Sequence, residues 1–252
     1  LRLTDPPLPS KVMLLGVDCM DSLMKVFSAL RGDLDLTAFE FLTDRALHHV
    51  RAGHGLPPPL ETECPLYVVA EFDCPGAAEE ERAMASFERC AEQGWLVDGV
   101  ISQNDRQVAE LWRYREGISE SISHFPPYKN DLSVTVSRVP EFLQRMDELV
   151  NEVCPEFEVV WYGHIGDGNL HMNILKPPGL DLAAFEARSH EISERTYALT
   201  QSIGGSISAE HGIGLLKRPW LGRVRSAAEI EMMRGVKRVF DPAGIFNPGK
   251  LL

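Results

Sequence analysis

The stretch 162–173 (Tyr-Gly-His-Ile-Gly-Asp-Gly-Asn-Leu-His-Met-Asn) limits the possible folds of this chain more than any other segment. Its central Asp167-Gly168 pair is typical of a two-residue type I′ β-hairpin, because both turn positions need a positive φ. A turn at these residues places His164 directly opposite His171, with Cβ atoms about 5 Å apart. The sequence therefore predicts an antiparallel strand pair with two imidazoles on one face.

Alternation of side chains gives the predicted hairpin one polar and one apolar face. Tyr162 and Asn173 share the face of the two histidines. The opposite face carries the apolar side chains Val159, Trp161, Ile165, Leu170, Met172 and Ile174. Two interpretations of the polar face stay open at this point: a chelating site for a divalent cation, or a solvated cross-strand histidine pair.

A candidate third ligand lies in the segment 204–214, where glycines flank Glu210 and His211. Glycines permit tight turns and a close approach of the backbone to a ligand. Two histidines and one glutamate match a catalytic metal site with an open coordination position. The alternative is an ordinary exposed acid at Glu210 and a residue at the start of a helix at His211. The chain has neither a dinucleotide fingerprint nor a Walker A motif.

A second candidate group lies on the helix predicted from about residue 104 to residue 123. Arg115 falls within an apolar stripe at helical spacing, formed by Val108, Leu111, Ile118 and Ile122. An inward guanidinium needs an anionic partner or a wet cavity. Ser119 follows four residues later on nearly the same face, and Lys129 adds charge, which suits a carboxylate ligand. Alternatively, Arg115 extends to solvent or pairs with Glu116 or Glu120.

The remaining strand and helix patterns predict an α+β fold. We expect an antiparallel sheet with helices mainly on one face. The last helix is predicted over 226–240, with a capping box of Ser226 and Glu229. The net charge of −12 argues against a nucleic-acid partner, and no apolar run approaches the ~20 residues that span a bilayer. Five cysteines without a CxxC pair indicate reduced thiols.

Several motifs together resemble a known family. They are GHIGDGNLHMNI (163–174), SAEHGIGLLKR (208–218) and FDPAGIFNPGK (240–250), with LWRYREGISESI (111–122) and YKNDLSV (128–134) before them. The chain resembles the C-terminal half of the FAD-linked oxidases. This group contains D-2-hydroxyglutarate dehydrogenase, D-lactate dehydrogenase and the glycolate oxidase D subunit.

The resemblance implies a domain organisation and partners. Residues 11–203 would form a substrate-binding (cap) domain, a large antiparallel sheet with flanking helices in ferredoxin-like halves. Residues 204–252 would form a short helical C-terminal segment that closes the active site. Residues 1–10 would be a linker from an upstream FAD-binding domain, of which the chain shows no trace. FAD, held mainly by that domain, would be the cofactor. The location would be cytoplasmic, or the mitochondrial matrix in a eukaryote; a homodimer and the identity of the electron acceptor stay open.

The resemblance also implies roles for ten residues. A divalent metal, zinc before manganese, cobalt or iron, would be held by His164, His171 and Glu210. The general base would be His211. The substrate carboxylates would contact Arg115, Ser119, Lys129 and Asn173, with Ser119 where the family has a threonine. The residues near the flavin would be Asn247 and Lys250.

The implied reaction is oxidation of a D-2-hydroxy acid to a 2-oxo acid by hydride transfer to FAD. A chain of this kind would be inactive without the FAD-binding domain. Two other functions stay open from the sequence. One is a metal-dependent hydrolase, because the same ligand set also activates water. The other is a non-catalytic module that binds a hydroxy acid. The sequence leaves the choice of acid open.

Overall fold

A computed structural model describes residues 6–252 of the chain. Half of the predicted linker, residues 1–5, lies outside the described residues. Residues 6–9 are exposed and without regular structure, and the first strand begins at Ser10.

The described residues form seven strands and nine α-helices. The strands are β1 (Ser10–Val17), β2 (Leu36–Thr43), β3 (Leu66–Asp73), β4 (Asp98–Ile101), β5 (Tyr128–Ser133), β6 (Glu158–His164) and β7 (Asn169–Leu175). The helices are α1 (Met20–Asp33), α2 (Asp44–His54), α3 (Ala77–Glu92), α4 (Asp105–Glu116), α5 (Ile118–Ser121), α6 (Val139–Val153), α7 (Leu182–Ser202), α8 (Leu221–Val224) and α9 (Ala227–Phe240). The predicted capping box of Ser226 and Glu229 is present at the start of α9.

All seven strands belong to one antiparallel sheet in the order β4-β1-β3-β2-β6-β7-β5, which confirms the predicted α+β class. The first four strands, with α1 and α3, form a ferredoxin-like half. The second half contains β5, β6 and β7 with α6 and α7. Its order of strands across the sheet is the mirror image of that in the first half. Its fourth strand is reduced to a single bridge between Ser133 and Ser206. The halves join where β2 pairs with β6.

Helices cover both faces of the sheet, so the expectation that they lie mainly on one face is wrong. One hydrophobic core contains side chains from α1, α3, α6 and α7, and the other contains side chains from α2, α4 and α5. The reason is visible in β1, where six consecutive residues from Val12 to Val17 are buried. A strand that is buried on both faces reads as a continuous apolar run rather than an alternating one.

The helix predicted over 104–123 is interrupted at Gly117 and continues as the short α5. Asn104 caps its start by accepting a hydrogen bond from the backbone N–H of Gln107. A Cβ at Gly117 would lie 2.8 Å from atoms of His54 and Val50, so the close approach of α2 requires glycine here. The interruption places Arg115 in the last turn of α4, above the sheet.

The hairpin differs from the predicted register by two residues. His164 pairs with Asn169, and Tyr162 pairs with His171, so the predicted direct opposition of the two histidines is wrong. A short 3₁₀ turn, Ile165–Asp167, leads to Gly168 at φ 70°. In this loop only Gly168 has a positive φ, because Asp167 belongs to the 3₁₀ turn and not to a two-residue type I′ turn. A shift of two residues preserves the side-chain alternation, and both histidines stay on the predicted face.

Candidate functional site

A band of polar side chains crosses the sheet face that also bears α4. The strands contribute Glu40 from β2, Tyr162 and His164 from β6, His171 and Asn173 from β7, and Lys129 and Asp131 from β5. The register brings them together: Asp131 and Tyr162 both pair with His171, and Lys129 pairs with Asn173. The predicted apolar face of the hairpin lies in the core on the opposite side.

The two histidines and Glu210 converge on one point. The imidazole rings of His164 and His171 lie 5.3 Å apart between centroids. Nε2 of His164 is 3.7 Å from Oε2 of Glu210, and Nε2 of His171 is 3.6 Å from Oε1 of the same carboxylate. One ligand atom from each of the three residues lies within 4.8 Å of the others. Two imidazole nitrogens and a carboxylate oxygen at this spacing fit a divalent metal with an open position.

A buried carboxylate orients each of the two imidazoles. Nδ1 of His164 lies 2.8 Å from Glu40, and Nδ1 of His171 lies 3.3 Å from Asp131. A carboxylate only accepts, so the hydrogen bond with Glu40 places the proton of His164 on Nδ1 and leaves its Nε2 lone pair facing Glu210. The hydrogen bond with Glu40 raises the pKa of His164. Metal-binding histidines are typically held in this way, which is a second reason that these residues fit a metal.

Asp131 also holds the loop that carries Glu210. Its Oδ2 accepts hydrogen bonds from the backbone N–H groups of Glu210 (2.9 Å) and His211 (3.0 Å). Burial alone would raise the pKa of Asp131, but His171 and these two N–H groups hold the pKa well below its usual range. Lys217 supports the same loop by donating to the carbonyl oxygens of Asp131 and Ile207. Burial lowers the pKa of Lys217.

His211 lies at the mouth of this group and is the most exposed of the three imidazoles. Its ring stacks on His171, with centroids 5.8 Å apart and planes inclined by 16°. Its Nε2 is 3.5 Å from Glu210, and its Nδ1 is 3.7 Å from Asp131. A ring in this place is within reach of a ligand bound beside Glu210.

Arg115 points into the protein, as its position in the apolar stripe predicts. It is 8% exposed, its Nε donates to Glu40 at 2.9 Å, and its Cζ lies 4.7 Å over the Tyr162 ring. The alternatives of solvent exposure and of pairing with Glu116 or Glu120 are therefore wrong. Its two Nη atoms make no hydrogen bond to any other residue between 6 and 252.

A cavity of about 590 Å³ unites eight of the ten predicted site residues. Its lining includes Arg115, Ser119, Lys129, His164, His171, Asn173, Glu210 and His211. Within it, Lys129 donates a hydrogen bond to Ser119 at 3.1 Å. The other two residues, Asn247 and Lys250, line an apolar groove beside α9 instead. Their role near the flavin stays a prediction.

Two acids of this site were absent from the residues singled out in the sequence. Glu40 stands between Phe39 and Phe41 in a strand, and Asp131 follows Asn130 in another. A charged side chain within a buried strand needs a specific partner. The acid between two phenylalanines was the signal that could have identified Glu40.

The described residues contain no helix that is long and apolar enough to cross a membrane. The sequence profile of the family described as "FAD linked oxidases, C-terminal domain" matches residues 7–251, which confirms the resemblance. The chain is 54% identical over 251 residues to the D-2-hydroxyglutarate dehydrogenase of Xanthomonas citri pv. viticola, covering 100% of this chain and 53% of that protein. It is 50% identical to the enzyme of the same name from Stutzerimonas stutzeri, covering 54% of that protein.

The chain thus spans about half the length of the curated relatives it matches. Among solved structures, it is similar to 4-ethylphenol oxidase from Gulosibacter chungangensis, with a TM-score of 0.64 and 13% identity. That likeness covers 99% of this chain and 55% of the other, and it supports the fold alone.

Proposed function

The chain belongs to the family of FAD-linked oxidase C-terminal domains, and on this premise we propose that it binds substrate and metal in a flavin-dependent dehydrogenase. The proposed reaction oxidises a D-2-hydroxy acid to a 2-oxo acid. The observation that carries the proposal is the single cavity that joins a His-His-Glu group to Arg115 and Lys129. One side of the cavity suits a metal, and the other suits an anion.

The charges in the cavity favour a diacid, and we propose D-2-hydroxyglutarate. Arg115 and Lys129 provide two cationic groups, and Ser119 and Asn173 add polar contacts. Because the chain has a net charge of −12, these local cations are needed to attract an anionic substrate. The names of the two bacterial relatives agree with this choice.

We propose that His164, His171 and Glu210 hold a zinc ion. The proposal is supported by the convergence of their ligand atoms and by the carboxylates that orient both imidazoles. A bound divalent cation supplies positive charge that lowers the pKa of an adjacent hydroxyl group.

Oxidation of a 2-hydroxy acid removes a proton from the hydroxyl group and a hydride from C2. His211 takes the hydroxyl proton as the general base, because its ring lies at the cavity mouth beside Glu210. Arg115 binds a substrate carboxylate through its two Nη atoms. Lys129 and Asn173 hold the substrate from β5 and β7, which orients C2 for reaction. A bound FAD would supply the acceptor for the hydride.

We assign an exposed face of α9 to contact with a flavin-binding half. None of the residues of α9 is buried, and Met232, Val236, Val239 and Phe240 are exposed. Exposed apolar patches of this kind mark protein–protein contacts. Asn247 and Lys250 lie in the groove beside this face, so the same contact would bring them toward the flavin. A second copy of the chain is the alternative occupant, and sedimentation of the isolated chain distinguishes the two.

The test uses the intact flavoprotein in stopped-flow experiments that follow bleaching of the flavin. We expect rapid reduction by D-2-hydroxyglutarate, slower reduction by D-lactate and none by L-2-hydroxyglutarate. Removal of the metal by a chelator should abolish reduction, and added Zn²⁺ should restore it. Failure of every 2-hydroxy acid to reduce the flavin would refute the proposed reaction.

A further inference from the structure

Glu40 occupies an unusual position for an acid. It lies on β2 between two buried phenylalanines and is 4% exposed. A carboxylate removed from water in this way is destabilising unless charged or hydrogen-bonding partners compensate for it. The position therefore implies partners that use both of its oxygens.

Each oxygen of Glu40 has its own partner, and the two partners belong to opposite sides of the cavity. Oε1 lies 2.8 Å from Nδ1 of His164, a proposed metal ligand. Oε2 accepts a hydrogen bond of 2.9 Å from Nε of Arg115, the proposed carboxylate-binding residue. One buried group thus contacts the residue for the metal and the residue for the substrate anion.

We propose that Glu40 is a positioning residue that fixes His164 as a metal ligand and Arg115 as a carboxylate-binding group at the same time. This inference rests on the proposed function. Accepting the Nδ1 proton of His164 leaves the Nε2 lone pair directed at Glu210 and the cavity. Engaging Nε of Arg115, with Tyr162 beneath its Cζ, leaves both Nη atoms for a ligand.

A purely structural role would be compensation of the Arg115 charge, and it makes a different prediction. Charge compensation needs an anion near Arg115 but places no demand on His164. If Glu40 had only this role, its replacement would lower the stability of the fold without a specific effect on metal affinity. The affinity for a metal therefore separates the two roles.

The test variant is Glu40→Gln. Glutamine offers one acceptor oxygen and one amide donor, so its NH₂ group must face either His164 Nδ1–H or Arg115 Nε–H. Loss of a carboxylate that orients a metal-binding histidine typically weakens metal affinity about 10- to 100-fold. We expect this loss for Zn²⁺, measured by competition with a chromophoric chelator on the purified chain.

Glu71→Gln is the matched control. Glu71 lies on the adjacent strand β3 and accepts a hydrogen bond of 2.6 Å from Trp112, which is also on α4. Its partner is a single neutral donor, which an amide oxygen can still satisfy. The control should bind Zn²⁺ within about twofold of the wild-type chain, because Glu71 touches no proposed ligand.

A second measurement tests whether Glu40 also affects the binding of a substrate-like anion. Binding of 2-oxoglutarate to the zinc-loaded chain, measured by calorimetry, should weaken in Glu40→Gln and not in Glu71→Gln. The visible spectrum of the cobalt-loaded chain should also change only in Glu40→Gln, because the donor properties of His164 are altered.

The outcomes separate this inference from the proposed function. Absence of Zn²⁺ binding by the wild-type chain would overturn both. Binding by the wild-type chain with equal affinity in Glu40→Gln would overturn the role of Glu40 alone. If Glu40→Gln does not fold, the double variant Glu40→Leu/Arg115→Met removes both buried charges together, which is better tolerated than removing one. Its Zn²⁺ affinity should fall by the same factor, and an unchanged affinity would overturn the proposal.

Discussion

Replacement of Asp131 by alanine should release the loop that carries Glu210 and His211. The Asp131 carboxylate is 3% exposed and accepts the backbone N–H groups of both residues. No other group in residues 6–252 accepts these two hydrogens. Asp131→Ala therefore removes the only hydrogen bonds of the described structure that hold these two amides.

The expected change in the opening equilibrium of the loop follows from the loss of these two hydrogen bonds. A hydrogen bond to a charged acceptor contributes about 1.5–3 kcal/mol, so two contribute about 3–6 kcal/mol. A difference of about 1.4 kcal/mol changes an equilibrium constant tenfold. The equilibrium for local opening of the loop should therefore rise by about 10²- to 10⁴-fold in Asp131→Ala.

Amide hydrogen exchange measured residue by residue is the assay. In the wild-type chain, the amides of Glu210 and His211 should be protected although both side chains are exposed. In Asp131→Ala, their exchange should accelerate by the factor above while the amides of β1 keep their protection. Asp167→Ala is the control, because that exposed acid lies in the β6–β7 hairpin, whose strand β7 pairs with β5, and its side chain makes no hydrogen bond within the described residues. Equal exchange rates at these amides in the wild-type chain and Asp131→Ala would refute the anchoring role.

Three further predictions concern the substrate, the hairpin and the pH dependence of stability. Arg115→Ala in the intact flavoprotein should raise KM for D-2-hydroxyglutarate about 10- to 100-fold and change kcat less, from the loss of a charged hydrogen bond; an unaltered KM contradicts this. Gly163→Ala should lower the free energy of unfolding in urea by about 1–3 kcal/mol, since its Cβ would meet the Asn169 carbonyl oxygen; unchanged stability would count against the hairpin register. Burial raises the pKa of Tyr197 from 10.0 to about 12, so the folded state loses stability as pH rises from 10 to 12. In denaturant titrations, the free energy of unfolding of Tyr197→Phe should fall by about 2 kcal/mol less than that of the wild-type chain between pH 10 and pH 12. An equal fall in both proteins would refute this prediction.

The local pattern was sufficient to place the polar face of the hairpin but not its register. Side chains alternate with a period of two, so His164 and His171 share a face in any register that differs by an even number of residues. The register itself depends on which loop residues adopt positive φ. The Asp167-Gly168 pair suggested two such residues, whereas the chain uses only Gly168.

Long-range pairing explains why the sequence did not predict the partner of Arg115 or the helices on the second face of the sheet. The apolar stripe of α4 predicted that Arg115 points inward, yet its partner Glu40 lies 75 positions away in sequence. No local periodicity indicates that β2 lies beside β6, and this pairing brings Glu40 to His164. The helices on the second face were missed for a related reason, because doubly buried strands do not reveal which helix covers which side.

The metal site is tested most directly by zinc content together with zinc X-ray absorption on the purified chain, on His171→Ala and on a His190→Ala control. The wild-type chain and the control should each hold one ion, with two imidazole nitrogens at about 2.0–2.1 Å and a carboxylate oxygen. His171→Ala should lose the ion. Undiminished zinc in His171→Ala, or no stoichiometric zinc in the wild-type chain, would contradict the proposed metal site.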